Sequence, residues 1–244
     1  MNNLVILSGS NGRVGSYLKK GFLEYDFNVA ALKHDGTYAK YSLPSKMEVN
    51  AYKRILVIHS GQPSAPRSIL ERKRYMRSTY ELIRDSIDHG YEFIFLSSLS
   101  AHDSNRSNYS REKIRLEKEV LNFGGAVVKL GLVTGIENSF SEKIKIIEKC
   151  LSMLGLKFLL TNANVIQTGP EELDVLIGRL AKESLSSRHA IYCEHSILVN
   201  KNLGVIRGSI RKVILDFLWV LSSLGSGRSD ALLNFFEGMK VSKS

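Results

Sequence analysis

Leu4-Val-Ile-Leu7 runs directly into Ser8-Gly9-Ser10-Asn11-Gly12-Arg13-Val14-Gly15, and this stretch decides the fold. A short unbroken apolar run bounded by small polar residues is the pattern of a strand buried on both faces, as in a parallel sheet. Beyond the glycines, Val14, Leu18, Phe22 and Leu23 recur at helical spacing. Strand, glycine loop and helix in that order open a dinucleotide-binding unit. The glycines permit a tight turn and a close approach of backbone to pyrophosphate, and the helix start turns its N–H groups toward the anion. On that reading Gly9, Asn11, Gly12, Arg13, Val14 and Gly15 touch the cofactor. The spacing is GxxGxxG rather than GxGxxG, and an ordinary turn of small residues between strand and helix has the same composition.

Working outward, Asn28-Val-Ala-Ala-Leu32 reads as a second strand ending in Lys33-His34. An acidic residue there would hold the adenine-ribose 2′-hydroxyl, whereas a basic one accommodates a 2′-phosphate. Lys33 therefore leans toward NADP over NAD, with a solvated lysine at a strand end as the alternative. The polar segment 36–53 holds a short strand around Tyr41 and a helical turn after Pro44. Arg54-Ile-Leu-Val-Ile58 is the next buried strand, followed by His59-Ser60-Gly61. Carboxyl ends of strands face the ligand crevice of a doubly wound sheet, so these three residues belong on the cofactor side, although His59 could equally be a packed core histidine.

Ser68 to His89 carries Met76, Leu82, Ile83 and Ile87 at helical spacing and a basic run, Glu71-Arg-Lys-Arg74. Such a run is either a solvated face or an attractor for an anionic substrate. Glu92-Phe-Ile-Phe-Leu96 is a fourth strand that delivers Ser97-Ser98-Leu99-Ser100 to the crevice edge. A helix beginning near Tyr109 follows, with Ile114, Val120 and Leu121 as core positions, and Gly125-Ala-Val-Val128 is a fifth strand. Strand alternating with helix five times makes an α/β parallel sheet.

Tyr109-Ser-Arg-Glu-Lys113 sets a phenol and an amine one helical turn apart on the same helix face. An ammonium beside a phenol favours its ionised form, which is a way to make a base. The same spacing also occurs on solvated helices that do no chemistry.

Beyond Gly135 helical patterns dominate (Glu142 to Leu154, Pro170 to Glu183, Lys201 to Leu224), separated by the strand-like Asn164-Val-Ile-Gln-Thr168 and Ala190-Ile-Tyr-Cys193. Near the end, Arg207, Arg211 and Lys212 precede Val213, Ile214, Phe217, Leu218, Trp219 and Leu221. That combination fits a helix packing on the substrate side or at a subunit interface, or one lying on an anionic membrane surface.

Composition bounds the rest. The 244 residues are 43% hydrophobic and 24% charged, enough for a sizeable core. A net charge of +10 suits an anionic partner. Cys150 and Cys193 have neither disulfide-framework nor zinc-ligand spacing, so no metal is expected and a reducing cytoplasm fits best. No apolar run reaches membrane-spanning length, and the basic residues lack the aromatic interleaving of a nucleic-acid reader.

Taken together, Gly9-Ser-Asn-Gly12-Arg-Val-Gly15, Val57-Ile-His59-Ser-Gly61, Phe95-Leu-Ser97-Ser98-Leu-Ser100-Ala, Tyr109-Ser-Arg-Glu-Lys113 with Glu117 one turn on, and Lys129-Leu-Gly-Leu-Val-Thr-Gly135 resemble the short-chain dehydrogenase/reductase superfamily. Within it the pattern is similar to the extended or atypical branch of NAD-dependent epimerase/dehydratase proteins acting on nucleotide sugars. The resemblance implies a Rossmann domain over 1–135 and a small, mostly helical substrate-binding region over 136–244. It implies Tyr109 as acid/base, Lys113 as holder of the nicotinamide ribose that also lowers the tyrosine pKa, and Ser98 as hydrogen-bond partner of the reacting oxygen. Ser8 stands in place of the usual threonine, Lys129-Leu130 in place of an Arg-Pro pair, and His102 where sugar epimerases carry tyrosine. Tyr75-Met-Arg-Ser-Thr79 lacks an asparagine that many members have.

The expected activity is an NAD(P)-dependent oxidoreductase, epimerase or dehydratase acting on a nucleotide-activated sugar in surface polysaccharide biosynthesis. A non-catalytic NAD(P)-binding regulator or sensor of the same fold is the alternative. A homodimer is compatible with either, and no nucleic-acid partner is expected.

Overall fold

The computed structural model describes residues 3–32, 41–44, 49–60, 69–99, 101, 106–136, 163–183, 190–192, 198–201, 216–221, 233 and 240–241. In chain order the elements are β1 (Asn3–Ser8), α1 (Arg13–Glu24), β2 (Phe27–Ala31), β3 (Arg54–His59), α2 (Ile69–Asp88), β4 (Glu92–Ser98), α3 (Asn108–Phe123), β5 (Ala126–Leu130), β6 (Leu132–Val133), β7 (Ala163–Thr168), α4 (Pro170–Lys182), β8 (Ala190–Tyr192), β9 (Leu198–Lys201) and β10 (Lys240–Val241).

Six strands form one sheet in the order β2-β1-β3-β4-β5-β8, with every pairing parallel. Alternate residues of a strand point to opposite faces, and β1 divides its apolar run accordingly. Leu4 and Ile6 join a core with Tyr75, Leu82 and Ile83 of α2 and Leu116 and Val120 of α3. Val5 and Leu7 join a second core with Leu18 and Phe22 of α1 and Leu173, Leu176, Ile177 and Leu180 of α4. Helices thus cover both faces, the doubly wound α/β arrangement expected from the alternating pattern. Leu23, expected on the buried stripe of α1, is 52% exposed. Leu18 and Phe22 already fill that side of the sheet, and Leu23 falls beyond the edge of their stripe.

The change of pattern at Gly135 is crossed by the sheet itself. β8 extends the main sheet by pairing with β5, and α4 covers one of its faces. Arg54, at the start of β3, forms a two-pronged pair with Glu92 of β4 at 2.7 Å on each prong. The same guanidinium donates to the carbonyls of Leu180 (2.9 Å), Ala181 (3.2 Å) and Glu183 (2.5 Å) at the end of α4. A helix C-terminus leaves carbonyls without intrahelical partners, and a cation there satisfies them and the helix dipole together. A separate, smaller sheet has the order β10-β7-β6, and β9 also pairs with β7. The helices expected over Glu142 to Leu154 and most of Lys201 to Leu224 lie outside the described residues, apart from a helical segment at 216–221.

Local chemistry fixes the ends of α3. Ser107 caps its start, accepting a bond from the Ser110 amide at 3.2 Å. Gly124 ends it in the left-handed region (φ 92°), and the Gly124 and Gly125 amides close on the carbonyls of Leu121 and Val120.

Candidate functional site

The sheet order reverses at β1, which has β2 on one side and β3 on the other. The crevice beyond the carboxyl ends of these strands is where such sheets bind ligands. β1 ends there in Ser8, and the chain turns through Gly9 at φ 67°, a conformation that favours glycine. The Gly12 amide closes the turn on the Gly9 carbonyl at 2.8 Å, and α1 begins at Arg13. A Cβ at Gly15 would lie 2.1 Å from the Gly9 carbonyl oxygen. Only glycine lets α1 start this close to the turn.

No side chain caps the start of α1, and its first turn holds no acidic residue. Gly9, Asn11, Gly12 and Arg13 are exposed, while Val14 is half-buried and Gly15 buried. A close-packed glycine turn, an uncapped helix start and an arginine in place of an acid suit a pyrophosphate. The residues present fit a dinucleotide. Lys33 and Gly61 lie outside the described residues.

His59 is fully buried and faces the core. Its Nδ1 is 2.7 Å from Ser8 Oγ and its Nε2 3.0 Å from Tyr75 Oη. The ring lies nearly parallel to those of Tyr75 and Phe95, both with centroids at 5.9 Å. Burial, helped by the nearby positive charge of Lys113, lowers its pKa to about 3, so the imidazole is neutral. Ser60 completes the knot: its amide donates to Ser8 Oγ at 3.1 Å and its hydroxyl to the Ser8 carbonyl at 2.6 Å. The imidazole of His59 and the hydroxyl of Ser60 therefore bind the ends of β1 and β3 to each other.

On the other side of the crevice, Ser98 is the last residue of β4, and Tyr109 stands in the first turn of α3, half-buried. Lys113 follows one turn later and is 4% exposed. Its ammonium donates to the Leu96 carbonyl at 2.6 Å, lies 4.7 Å from the Phe95 ring centroid and 5.6 Å from that of Tyr109. The amine and phenol are thus neighbours, and burial weighs more on the phenol than the amine does. Burial raises the Tyr109 phenol to about 12. Burial also lowers Lys113 to about 7, partly offset by the carboxylate of Glu117. An ammonium committed to a backbone carbonyl, and only partly charged at neutral pH, does not outweigh the desolvation of the phenol.

One turn further along α3, Glu117 is also buried, at 8% exposure. One of its oxygens accepts the hydroxyl of Ser97, next to Ser98, and the other pairs with Lys129 of β5 at 2.8 Å. Sequence reasoning assigned Glu117 no role. A usable signal was present, since Lys113, Leu116, Glu117 and Val120 share the spacing of a buried helical stripe, where two charges are out of place.

The basic run at the start of α2 divides. Lys73 and Arg74 are exposed, whereas Arg72 pairs with Glu112 of α3 at 2.6 Å. Arg72, Lys73, Tyr80, Arg84 and Arg115 line an open groove of about 920 Å³ between α2 and α3. Ser98, Tyr109, Lys113 and the glycine turn are not among its walls. Among the described residues there is no cluster of metal-ligating side chains, and no helix is long and apolar enough to cross a membrane. The 216–221 segment leaves Phe217 and Trp219 exposed and buries Leu218.

No protein-family model matches the sequence, and no curated relative does. Solved structures do share the fold. A dTDP-4-dehydrorhamnose reductase from Bacillus anthracis in complex with NADP has a TM-score of 0.56 at 15% identity, over 89% of this chain and 81% of that one. A short-chain dehydrogenase/reductase superfamily protein from Agrobacterium tumefaciens with bound NAD has a TM-score of 0.52 at 13% identity, over 87% and 82%. A human epimerase family protein with NADPH has a TM-score of 0.54 at 11% identity, over 98% and 95%. The doubly wound Rossmann fold is therefore common to this chain and to proteins of the superfamily that its motifs resemble.

Proposed function

We propose that the protein is an NAD(P)-dependent oxidoreductase, epimerase or dehydratase acting on a nucleotide-activated sugar. The observation that carries this reading is the position of Ser98 and Tyr109 at the crevice end of β4 and α3, across from the glycine turn of β1. Proteins similar in fold are solved with NADP, NAD and NADPH, and one is named for reduction of a dTDP-sugar. The net charge of +10 suits a diphosphate-bearing substrate.

In this reading the glycine turn and the start of α1 hold the pyrophosphate. Lys33, which follows the second strand in the sequence, favours NADP. A bound nicotinamide supplies or accepts the hydride. Ser98 donates to the reacting oxygen of the sugar, and Tyr109 exchanges a proton with that oxygen. With its pKa raised to about 12, the phenol keeps its proton at neutral pH and enters the reaction as an acid. That protonation state suits reduction of a keto-sugar better than the opposite direction. The residues between 136 and 244 that lie off the main sheet are the candidates for sugar recognition, and surface polysaccharide synthesis in the cytoplasm is the setting that such a substrate suggests.

A second reading rests on a specific observation. Lys113 is turned to the Leu96 carbonyl, an arrangement compatible with a dinucleotide-sensing protein that does no chemistry. A panel of UDP-, GDP- and dTDP-sugars, with NADPH or NADH consumption followed for wild type and Tyr109→Phe, separates the two. The enzyme reading expects at least one sugar to be turned over and the variant to be slower by about 10²- to 10⁴-fold. Equal, negligible rates for both proteins, with NADPH still raising the melting temperature, would favour the sensor.

A further inference from the structure

Two cations and one carboxylate lie between α3 and the ends of β4 and β5, close to the proposed catalytic edge. Glu117 is the hub: it holds Ser97 of β4 and Lys129 of β5, and stands one helical turn from Lys113. The titratable groups around Lys113 are Tyr109 and Glu117 on its own helix, His59 on β3 with its partner Tyr75 on α2, and Lys129 on β5 across Glu117. His59 is neutral, and both tyrosines are raised well into the protonated range. Glu117 is the single anion of this set.

We propose that Glu117 is a positioning residue for the catalytic edge: one oxygen anchors the end of β4 beside Ser98, and the other, held by Lys129, sets a carboxylate one helical turn from the buried Lys113 ammonium. The proposal rests on the enzyme reading above and adds a residue to it. Burying an ammonium without a counter-ion is costly, so the cation at this depth depends on whatever negative charge is near. Lys129 competes for the same carboxylate. The strength of its 2.8 Å pair decides how much of the Glu117 field reaches Lys113.

This sets up a test of opposite signs. Removing the carboxylate in Glu117→Gln moves Lys113 deprotonation to lower pH, and removing the competitor in Lys129→Met moves it to higher pH, each by about one unit. The midpoint is read on the full chain from the side-chain resonances of labelled lysine, with Lys113→Arg used to assign the signal. NADPH affinity is measured across the same pH range, and it falls as Lys113 loses its proton. General damage to the fold would move both variants in one direction. Midpoints that stay put, or shift the same way in both variants, overturn the proposal. Opposite shifts support it. If those shifts occur in a protein that binds no NADPH at any pH, the role of Glu117 toward Lys113 stands and the enzyme reading is what fails.

Discussion

The two sides of the crevice are built around buried polar knots of opposite character. Beneath the glycine turn, Ser8, His59, Ser60 and Tyr75 form a knot that carries no charge, with both imidazole nitrogens engaged. Beneath Ser98 and Tyr109, Lys113, Glu117 and Lys129 form a knot made of charges. A satisfied neutral network fixes geometry at modest cost, whereas buried charges are costly and seldom add net stability. On the proposed reading the first side holds a shape, the one a pyrophosphate needs, and the second moves protons.

The largest effect is expected where the shape is tightest. Gly15→Val forces α1 away from a carbonyl that even a Cβ would approach to 2.1 Å, and NADPH affinity is predicted to fall by at least about 100-fold, roughly 3 kcal/mol, in a fluorescence titration. Wild-type affinity in that variant would show that the turn does not cradle the cofactor.

Arg54 is the control, because it lies at the opposite ends of the strands. Arg54→Met removes the two-pronged pair with Glu92 and takes the guanidinium donor from the last carbonyls of α4, and a loss of about 2–4 kcal/mol is expected in denaturant unfolding. The Lys113 midpoint should not move. If it does, the charged knot is not the local device described.

His59 sharpens the comparison through pH. Its pKa is lowered from 6.5 to about 3 in the folded protein, so between those values the unfolded chain binds the proton that the native state refuses. Stability is therefore lost as pH falls from about 6.5 to 3, with a limiting slope of about 1.4 kcal/mol per unit from this group. His59→Gln should flatten that slope while leaving the pH dependence of NADPH binding near neutrality in place. The smallest effect is at the end of α3, where Gly124→Ala forces a side chain into φ 92° and costs about 1 kcal/mol without changing cofactor affinity.

Much of the fold could be read in advance because strands buried on both faces announce themselves. Leu4-Leu7, Arg54-Ile58 and Glu92-Leu96 fall in the parallel sheet, and Gly125-Val128 starts one residue before its strand. The destination of α4 could not be read: an amphipathic helix records that it has a buried face, not which sheet it covers. β9 was missed between the strand-like Ala190–Cys193 and a pattern from Lys201 on that reads as helix, since its pairing partner β7 is far away in sequence. At the site, the glycine spacing was legible because a side chain at Gly15 would run into the Gly9 carbonyl. The depth of Lys113 was not, because an i,i+4 spacing looks the same on a wet face and a dry one. His59 was ambiguous for a related reason. A residue at a strand end faces the crevice with its backbone while its side chain follows the alternation of the strand.

The most direct test is Lys113→Met, with unfolding stability and NADPH-dependent turnover measured on the same preparation. The buried lysine titrates at about 7 in the folded protein against 10.5 for a freely solvated lysine, so the unfolded chain holds the proton more tightly. Native stability should therefore rise as pH increases from about 7 to 10.5, and the buried ammonium weighs most against folding below that window. The prediction is a variant at least as stable as the wild type at pH 7, without the alkaline rise, and slower in turnover by about 10²-fold or more. A variant that loses stability and keeps its turnover would contradict this assignment, and would make Lys113 part of the scaffold rather than of the chemistry.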